Sequence, residues 1–200
     1  MGNLASVQKA LARLGMESRL VSAAAEVEAA RRLILPGVGA FGAAMANLRE
    51  HGLVEPIRDY CRSGRPFLGI CLGMQLLMTE SDEMGRWKGL DVVPGRVVRF
   101  FEGAPAPPSG LKVPHMGWNA LHGLRPGGIT GSVPEGSSVY FVHSYYVKPE
   151  EPAAVSAKCT HGETFCAVAA TGNVFATQFH PEKCGAIGQG ILRSFCEIPA

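Results

Sequence analysis

The sequence predicts an α/β fold with a mainly parallel central sheet flanked by helices, followed by antiparallel strands in the second half. Within residues 1–80, short apolar runs alternate with stretches of helical periodicity, which is typical of a parallel sheet with helices on both faces. Beyond residue 96, strand-like segments follow one another with turn residues between them, which favours antiparallel pairing. No linker divides the chain, so we expect a single domain over residues 1–200.

The first half opens with a helix whose apolar positions are Leu4, Val7, Leu11 and Leu14, with Asn3 as its cap. The run Leu33-Ile34-Leu35 is typical of a parallel strand buried on both faces. In chain order, the predicted strands of this half are 18–22, 33–35 and 67–70, and the remaining predicted helices are 27–30, 41–50, 53–63 and 72–79.

The second half is predicted to hold five strands, a loop rich in Pro over 104–110 and a final helix over 187–196. The predicted strands are 97–101, 138–147, 153–158, 164–170 and 174–178.

Composition excludes several classes of protein. Hydrophobic residues make up 46% of the chain and the formal net charge is +2, which gives no basic surface for nucleic acid or membrane. No apolar stretch is long enough to span a bilayer, and no export signal is recognisable. We therefore expect a cytoplasmic protein with reduced thiols. Its six cysteines contain no C-x-x-C spacing, so a zinc knuckle is not supported.

Cys71 is the candidate nucleophile. It lies in a G-x-C-x-G segment that follows an apolar strand and opens a helix, which is the context of a nucleophile elbow. Small neighbours permit the sharp turn, and the helix N-terminus favours negative charge there. The N–H of Leu72 is a candidate oxyanion donor. The alternative is a buried structural cysteine, which is a common role for free thiols.

His180 and Glu182 are the candidate base and the residue that orients it. They lie two positions apart in an extended segment after the last predicted strand, so both side chains can project to one side. A carboxylate beside imidazole holds its tautomer and stabilises imidazolium. A surface histidine beside a helix-capping Glu is the alternative interpretation.

Residues 37–42 form a literal G-x-G-x-x-G motif between a strand and a helix, which taken alone indicates dinucleotide binding. The acidic residue that would hold a ribose at the end of the next strand is absent, because that strand ends at Cys71. We therefore favour a second use, in which the backbone N–H groups of Val38 and Gly39 supply oxyanion donors.

Five segments occur here in the order seen in class I glutamine amidotransferases: PGVGAF, FLGICLGMQLL, VPHMGWN, FVHSYYV and QFHPEK. The chain resembles this family over nearly its whole length. PGVGAF and VPHMGWN resemble most closely the branch that serves histidine biosynthesis, the glutaminase subunits of imidazole glycerol phosphate synthases.

The resemblance implies a three-layer α/β glutaminase that hydrolyses glutamine to glutamate and ammonia without a cofactor or metal. Cys71 would attack the side-chain amide and form a glutamyl thioester, with His180 as base and acid and Glu182 behind it. The resemblance also implies four substrate contacts: Gln75, Ser144, Tyr145 and Glu83, the last of which is expected to help close the pocket.

The resemblance further implies a partner, a (β/α)8 cyclase subunit that forms a heterodimer with the glutaminase and receives its ammonia. Trp, Tyr and Met are residue types that interfaces favour, although ordinary packing is the alternative. His115 and His143 are expected to be structural or supporting residues. The positions matched to the subunit junction are Pro114, Met116, Trp118, Asn119, Tyr140 and Lys183.

Two departures from the family pattern stand out. Cys184 replaces a usual Ser, with little effect expected, although a second thiol near Cys71 could be oxidised. Relatives begin with a buried strand and Asp-Tyr-Gly, whereas Met1 here directly precedes the first helix. We hypothesise that about ten upstream residues, including this first strand, are missing, which would leave strand edges unpaired.

The sequence leaves three alternatives open. The chain could feed ammonia to another synthase, for purine, pyrimidine or aminobenzoate products. It could be a non-catalytic subunit that retains the site residues, or a dinucleotide-binding module.

Overall fold

The structure is a computed structural model that describes residues 4–104, 107–108 and 110–200. The predicted cap Asn3 and part of the predicted loop 104–110 lie outside the described residues. The helices are α1 (Leu4–Arg13), α2 (Ala24–Ala29), α3 (Phe41–Glu50), α4 (Val54–Arg62), α5 (Leu72–Leu76) and α6 (Gly185–Glu197). Within the described ranges, no helix is long and apolar enough to cross a bilayer.

Eleven strands are formed by the described residues and make three sheets. The strands are β1 (Leu33–Gly37), β2 (Phe67–Cys71), β3 (Met78–Ser81), β4 (Trp87–Lys88), β5 (Val93–Arg99), β6 (His115–Ala120), β7 (Ser138–His143), β8 (Tyr145–Pro149), β9 (Val155–His161), β10 (Glu163–Thr171) and β11 (Val174–Thr177). The sheet orders are β1-β2-β11-β10-β9, β4-β3-β5-β8 and β6-β7.

The five-stranded central sheet is mixed. Strands β1, β2 and β11 run parallel, and β10 and β9 continue the sheet antiparallel. Every residue of β2 is buried, because this strand has neighbours on both edges and packing on both faces. Gly37 pairs with Cys71 and Ile70 with Thr177, so the carboxyl ends of β1, β2 and β11 meet at one edge of the sheet.

Two apolar cores cover the two faces of this sheet. One core joins α1 and α6 to Leu68 and Ile70 of β2. The other joins α3, α4 and α5 to Phe67 of the same strand. This alternation along β2 follows from the two-residue period of a strand, and it confirms the predicted three-layer arrangement of helices around a sheet.

The predicted strand over 18–22 is wrong, because this segment forms no helix or strand in the structure. A strand needs a ladder partner that accepts and donates backbone hydrogen bonds, and no strand of the described residues pairs with this segment. The prediction that β1 is buried on both faces is also wrong beyond Leu33, since its other residues are half-buried. Among the described residues β1 pairs with β2 alone, and an apolar groove of about 620 Å³ lies between β1, α1 and residues 16–22. The hypothesis of a missing upstream strand stays a prediction.

Two further element boundaries were mispredicted, and one strand was missed. The helix expected over 72–79 ends at Leu76, because Met78–Ser81 pairs with β5 as strand β3. The strand expected over 138–147 is split into β7 and β8 by a bend at Ser144. Strand β6 was not predicted, although it pairs along its whole length with β7. In each case long-range pairing overrides the local pattern.

Candidate active site

Cys71 occupies the sharp turn between β2 and α5. Its backbone has φ 55° and ψ −109°, a conformation that costs a non-Gly residue energy and that is characteristic of strained functional turns. Steric crowding requires glycine at positions 69 and 73, on either side of Cys71. A Cβ on Gly69 would lie 2.8 Å from the Gly73 carbonyl oxygen, and one on Gly73 would collide with the Leu35 carbonyl oxygen. The elbow context predicted from the sequence is therefore present.

His180 follows β11, the parallel neighbour of β2, so the topology brings it to the same sheet edge as Cys71. The backbone N–H of His180 donates to the Tyr140 carbonyl at 3.2 Å. Pro181 begins a short 3-10 helix that carries Glu182. His180 Nδ1 lies 2.8 Å from Glu182 Oε1, and the two side chains are 1% and 0% exposed.

The electrostatics of His180 suit proton transfer. Burial lowers its pKa, but hydrogen bonds to Cys71 and Glu182 outweigh burial and raise the pKa to about 9. The ring therefore carries its second proton at neutral pH. A protonated imidazole that contacts the nucleophile can stabilise a thiolate and later protonate a leaving group.

A buried amide network lies beside the thiol. Gln75 Nε2 donates to the Tyr145 carbonyl oxygen at 2.9 Å and to Gln178 Oε1 at 3.2 Å. Gln178 Nε2 in turn lies 3.9 Å from Cys71 Sγ. The structure thus brings together Gln75 and Tyr145, two predicted substrate contacts, with the predicted nucleophile.

The other predicted substrate and oxyanion residues surround this centre. Ser144 occupies the bend between β7 and β8, where its carbonyl accepts from Phe100 N–H at 3.1 Å. Leu72 is the first residue of α5. Val38 and Gly39 directly follow Gly37, the residue in register with Cys71, and Gly39 has φ 98°. Their roles as oxyanion donors stay predictions.

Glu83 lies at the N-terminus of α3, next to the glycine-rich segment. Its carboxylate accepts a hydrogen bond of 2.6 Å from Phe41 N–H, and its carbonyl accepts from Trp87 Nε1 at 2.8 Å. The carboxylate therefore ties the loop after β3 to the start of α3. Pocket closure by Glu83 stays a prediction.

The residues predicted for the partner junction lie around β6 and β7. Met116 and Trp118 are 63% and 59% exposed. Trp118 contacts the Tyr140 ring edge-on at 5.9 Å, and Lys183 Nζ lies 5.6 Å from the centroid of that ring. Pro114 is exposed just before β6. Asn119 differs, because its side chain faces the other side of the strand and donates to the Thr160 carbonyl at 2.8 Å.

Sequence reasoning missed Gln178. It is fully buried and lies two positions before His180. The same i, i+2 spacing that linked His180 to Glu182 could have placed it on the side of the base. Among the described residues no group of three His, Cys, Asp or Glu side chains is arranged to hold a metal ion.

The fold and the elbow define a class of protein, and comparison with known sequences agrees. The sequence profile of the class-I glutamine amidotransferases matches residues 1–197, and the chain belongs to this family. It is 52% identical to the imidazole glycerol phosphate synthase subunit HisH of Syntrophotalea carbinolica, over 99% of this chain and 96% of that protein. It is 50% identical to the HisH subunit of Geobacter sulfurreducens, over 99% and 95% of the two chains.

Solved structures support the fold independently. A crystal structure of a glutamine amidotransferase superposes with a TM-score of 0.74 at 23% identity, covering 98% of this chain and 93% of the other. At this identity the likeness concerns the fold alone. The chain is a glutamine amidotransferase enzyme by family, which is a different class of protein from the dinucleotide-binding module considered as an alternative.

Proposed function

We propose that this protein is the glutaminase subunit of an imidazole glycerol phosphate synthase, and that it works in the cytoplasm. The observation that carries the proposal is the Cys71–His180–Glu182 arrangement at the carboxyl ends of two adjacent parallel strands. The relatives of about 50% identity that are named as HisH subunits support the assignment to histidine biosynthesis.

In the proposed reaction, the Cys71 sulfur attacks the side-chain carbonyl carbon of glutamine. Negative charge develops on the carbonyl oxygen, where the N–H groups of Leu72, Val38 and Gly39 would stabilise it. The imidazolium of His180 donates a proton to the departing nitrogen, and ammonia leaves behind a glutamyl thioester. Water then attacks the thioester with His180 as base, which releases glutamate and restores the thiol.

The ammonia would pass to a (β/α)8 cyclase subunit that makes imidazole glycerol phosphate and the aminoimidazole carboxamide ribonucleotide. The exposed ring of Trp118, with Met116, Tyr140 and Lys183 around it, supports a docking surface of the usual composition, aromatic and Met residues with a peripheral charge. We call this group the docking face. The face lies close to the base, because the Tyr140 carbonyl accepts the His180 N–H.

The test is glutamine hydrolysis, followed by glutamate release, with and without a (β/α)8 cyclase and its nucleotide substrate. We expect low turnover alone and a large increase with the cyclase, because oxyanion donors on residues 37–39 can be misaligned until the partner docks. Cys71→Ala should abolish turnover in both conditions. Cys166→Ala, at a thiol of similar burial (5% against 7% exposed), is the matched control and should retain turnover.

Persistent turnover in Cys71→Ala would refute the enzyme mechanism. Normal glutamine hydrolysis that no cyclase of histidine biosynthesis stimulates would instead favour a synthase for purine, pyrimidine or aminobenzoate products.

A further inference from the structure

A second group of buried histidines lies between the docking face and the active site. His115 of β6 and His143 of β7 are 4% and 6% exposed, and their backbones are in register. His115 Nδ1 lies 3.1 Å from His143 Nε2. The rings pack among Phe100, Phe141 and Phe165. Neither ring contacts a carboxylate among the described hydrogen bonds and ion pairs.

Both rings are neutral at neutral pH. Burial lowers the pKa of His143 to about 3, with the nearby histidines acting in the same direction, and burial lowers the pKa of His115 to about 4. A neutral imidazole has one donor and one acceptor nitrogen. The partners of each ring therefore determine which nitrogen carries the proton.

The donor and acceptor nitrogens of both rings can be assigned by starting at the Tyr145 carbonyl. His143 Nδ1 lies 2.9 Å from the Tyr145 carbonyl oxygen, which can only accept, so Nδ1 carries the proton. His143 Nε2 must then accept from His115 Nδ1. His115 Nε2 in turn accepts from Asn119 Nδ2, which lies 3.2 Å away. The result is a one-way chain of donors from Asn119 to Tyr145.

This donor chain ends at the Tyr145 carbonyl, and a second set of hydrogen bonds leads from the same carbonyl to the nucleophile. The Tyr145 carbonyl also accepts from Gln75, which contacts Gln178, whose Nε2 approaches Cys71 Sγ. At the other end, β6 alternates between two sides. Its side chains Met116 and Trp118 form the exposed docking face, while His115 and Asn119 lie on the opposite side. A movement of β6 on docking would therefore move the first two members of the chain directly.

We propose that His115 and His143 are positioning residues, and that their hydrogen-bond chain couples docking on β6 to the Tyr145 carbonyl and the amides beside Cys71. This inference rests on the proposed function, since it assumes that a cyclase docks on β6. Among the described hydrogen bonds, the partners of the two rings are Asn119 and the Tyr145 carbonyl, besides each other, and not the Cys71 thiol. The rings act by fixing the carbonyl that Gln75 also binds, and thereby the shape of the glutamine pocket.

The test compares variants by one ratio, the kcat/KM for glutamine with the cyclase and its nucleotide substrate divided by the kcat/KM without them. His115→Phe keeps an aromatic ring but removes both hydrogen bonds. We expect it to lower the ratio by about tenfold, within the range of roughly 5- to 150-fold typical of coupling between sites. His115→Asn places an amide donor near the position of Nδ1 and should restore much of the ratio.

His161→Phe is the matched control. His161 stacks on His115 with ring centroids 4.2 Å apart, but its ring nitrogen bonds the Lys112 carbonyl outside the chain. The His161→Phe variant should leave the ratio of stimulated to basal kcat/KM unchanged. The inference fails if His115→Phe keeps the wild-type ratio, or if His161→Phe lowers it equally. Wild-type protein that no cyclase stimulates would refute the proposed function instead.

A measurement on the unmodified protein avoids any folding defect of the variants. Nitrogen NMR of labelled histidine distinguishes the two neutral tautomers. We expect the Nδ1–H tautomer for both His115 and His143 at pH 7, and a change in their shifts when the cyclase binds. The Nε2–H tautomer or a charged ring at either position would overturn the chain.

Discussion

The pKa of a buried histidine is shifted in opposite directions at two sites of this protein, His180 and His143. Burial penalises the charged ring of His180 and that of His143 alike. Beside His180 a buried carboxylate and a thiol reverse the penalty, and the pKa rises to about 9. Beside His143 the partners are a carbonyl and another imidazole, and the pKa falls to about 3. Burial makes protonation costly, and the partners decide which form each site keeps.

Each form suits a different task. A ring that holds a proton at neutral pH can donate it to departing ammonia, so His180 is suited to chemistry. A ring that stays neutral has a fixed donor and a fixed acceptor, so His143 is suited to holding backbone in place. The comparison predicts that changing the partners should convert one kind of site into the other.

Glu182→Gln should produce the largest effect. The variant removes the charge but keeps an amide near His180 Nδ1, so the pKa of His180 should fall well below 9. We expect kcat to drop by about 10³- to 10⁴-fold, as when a neutral amide replaces the carboxylate behind a catalytic histidine. Turnover and an NMR titration of His180 measure the two effects. A kcat within tenfold of wild type would show that the carboxylate is dispensable.

The second prediction concerns stability at acid pH. An unfolded histidine titrates near 6.5, whereas folded His143 and His115 titrate near 3 and 4. Between these values the unfolded chain binds more protons, so the free energy of unfolding should fall as pH decreases below 6.5. Each ring contributes about 1.4 kcal/mol per pH unit in this window.

His180 has the opposite sign. Its raised pKa contributes stability that is fully present below 6.5 and is lost as pH rises through about 9. Urea unfolding of wild type and of His143→Phe from pH 4.5 to 7 isolates the acid-side contribution. The variant should show a shallower pH dependence, whereas the exposed-site control His51→Gln should match wild type. An unchanged slope in His143→Phe would mean that His143 is not held neutral.

The two sites also differ in how far sequence alone could predict them. Cys71 was predictable because the elbow is local: its glycines, apolar strand and helix lie within one short segment. Glu182 was predictable because it lies two residues from His180. The His115–His143 contact joins residues 28 positions apart through the pairing of β6 with β7. Since β6 was not predicted, that contact could not be.

In the fold, too, features set by the local sequence pattern were predictable, and features set by long-range pairing were not. The order of helices and strands around β2 follows from apolar periodicity, and α3 begins and ends where the pattern predicts. Helix α5 is shorter than its pattern because Met78–Ser81 finds a partner in β5. Residues 18–22 have a strand-like pattern but no strand, because a strand also requires a neighbour that the described residues do not provide.

Trp118→Ala should produce an intermediate effect. It distinguishes the contribution of the docking face to cyclase binding from that of the His115–His143 hydrogen-bond chain to coupling. The indole is 59% exposed, so its removal should leave folding and basal turnover unchanged. A buried aromatic anchor at an interface typically contributes 2 kcal/mol or more, so we expect cyclase affinity to weaken by about 30-fold in a titration. At saturating cyclase the stimulated kcat should recover. Unchanged affinity would place the partner elsewhere on the molecule.

Cys184→Ser should produce the smallest effect, and it tests whether the site depends on the backbone of His180 or on its ring. Cys184 Sγ donates to the His180 carbonyl at 3.1 Å and accepts from Tyr140 N–H at 3.2 Å. A serine hydroxyl can make both bonds, so kcat should stay within about twofold of wild type. Cys184→Ala leaves both backbone groups without this partner, which should lower the free energy of unfolding by about 1–3 kcal/mol. If Cys184→Ser is as damaging as Cys184→Ala, the thiol itself is required there, and the geometry of His180 depends on more than hydrogen bonds to its backbone.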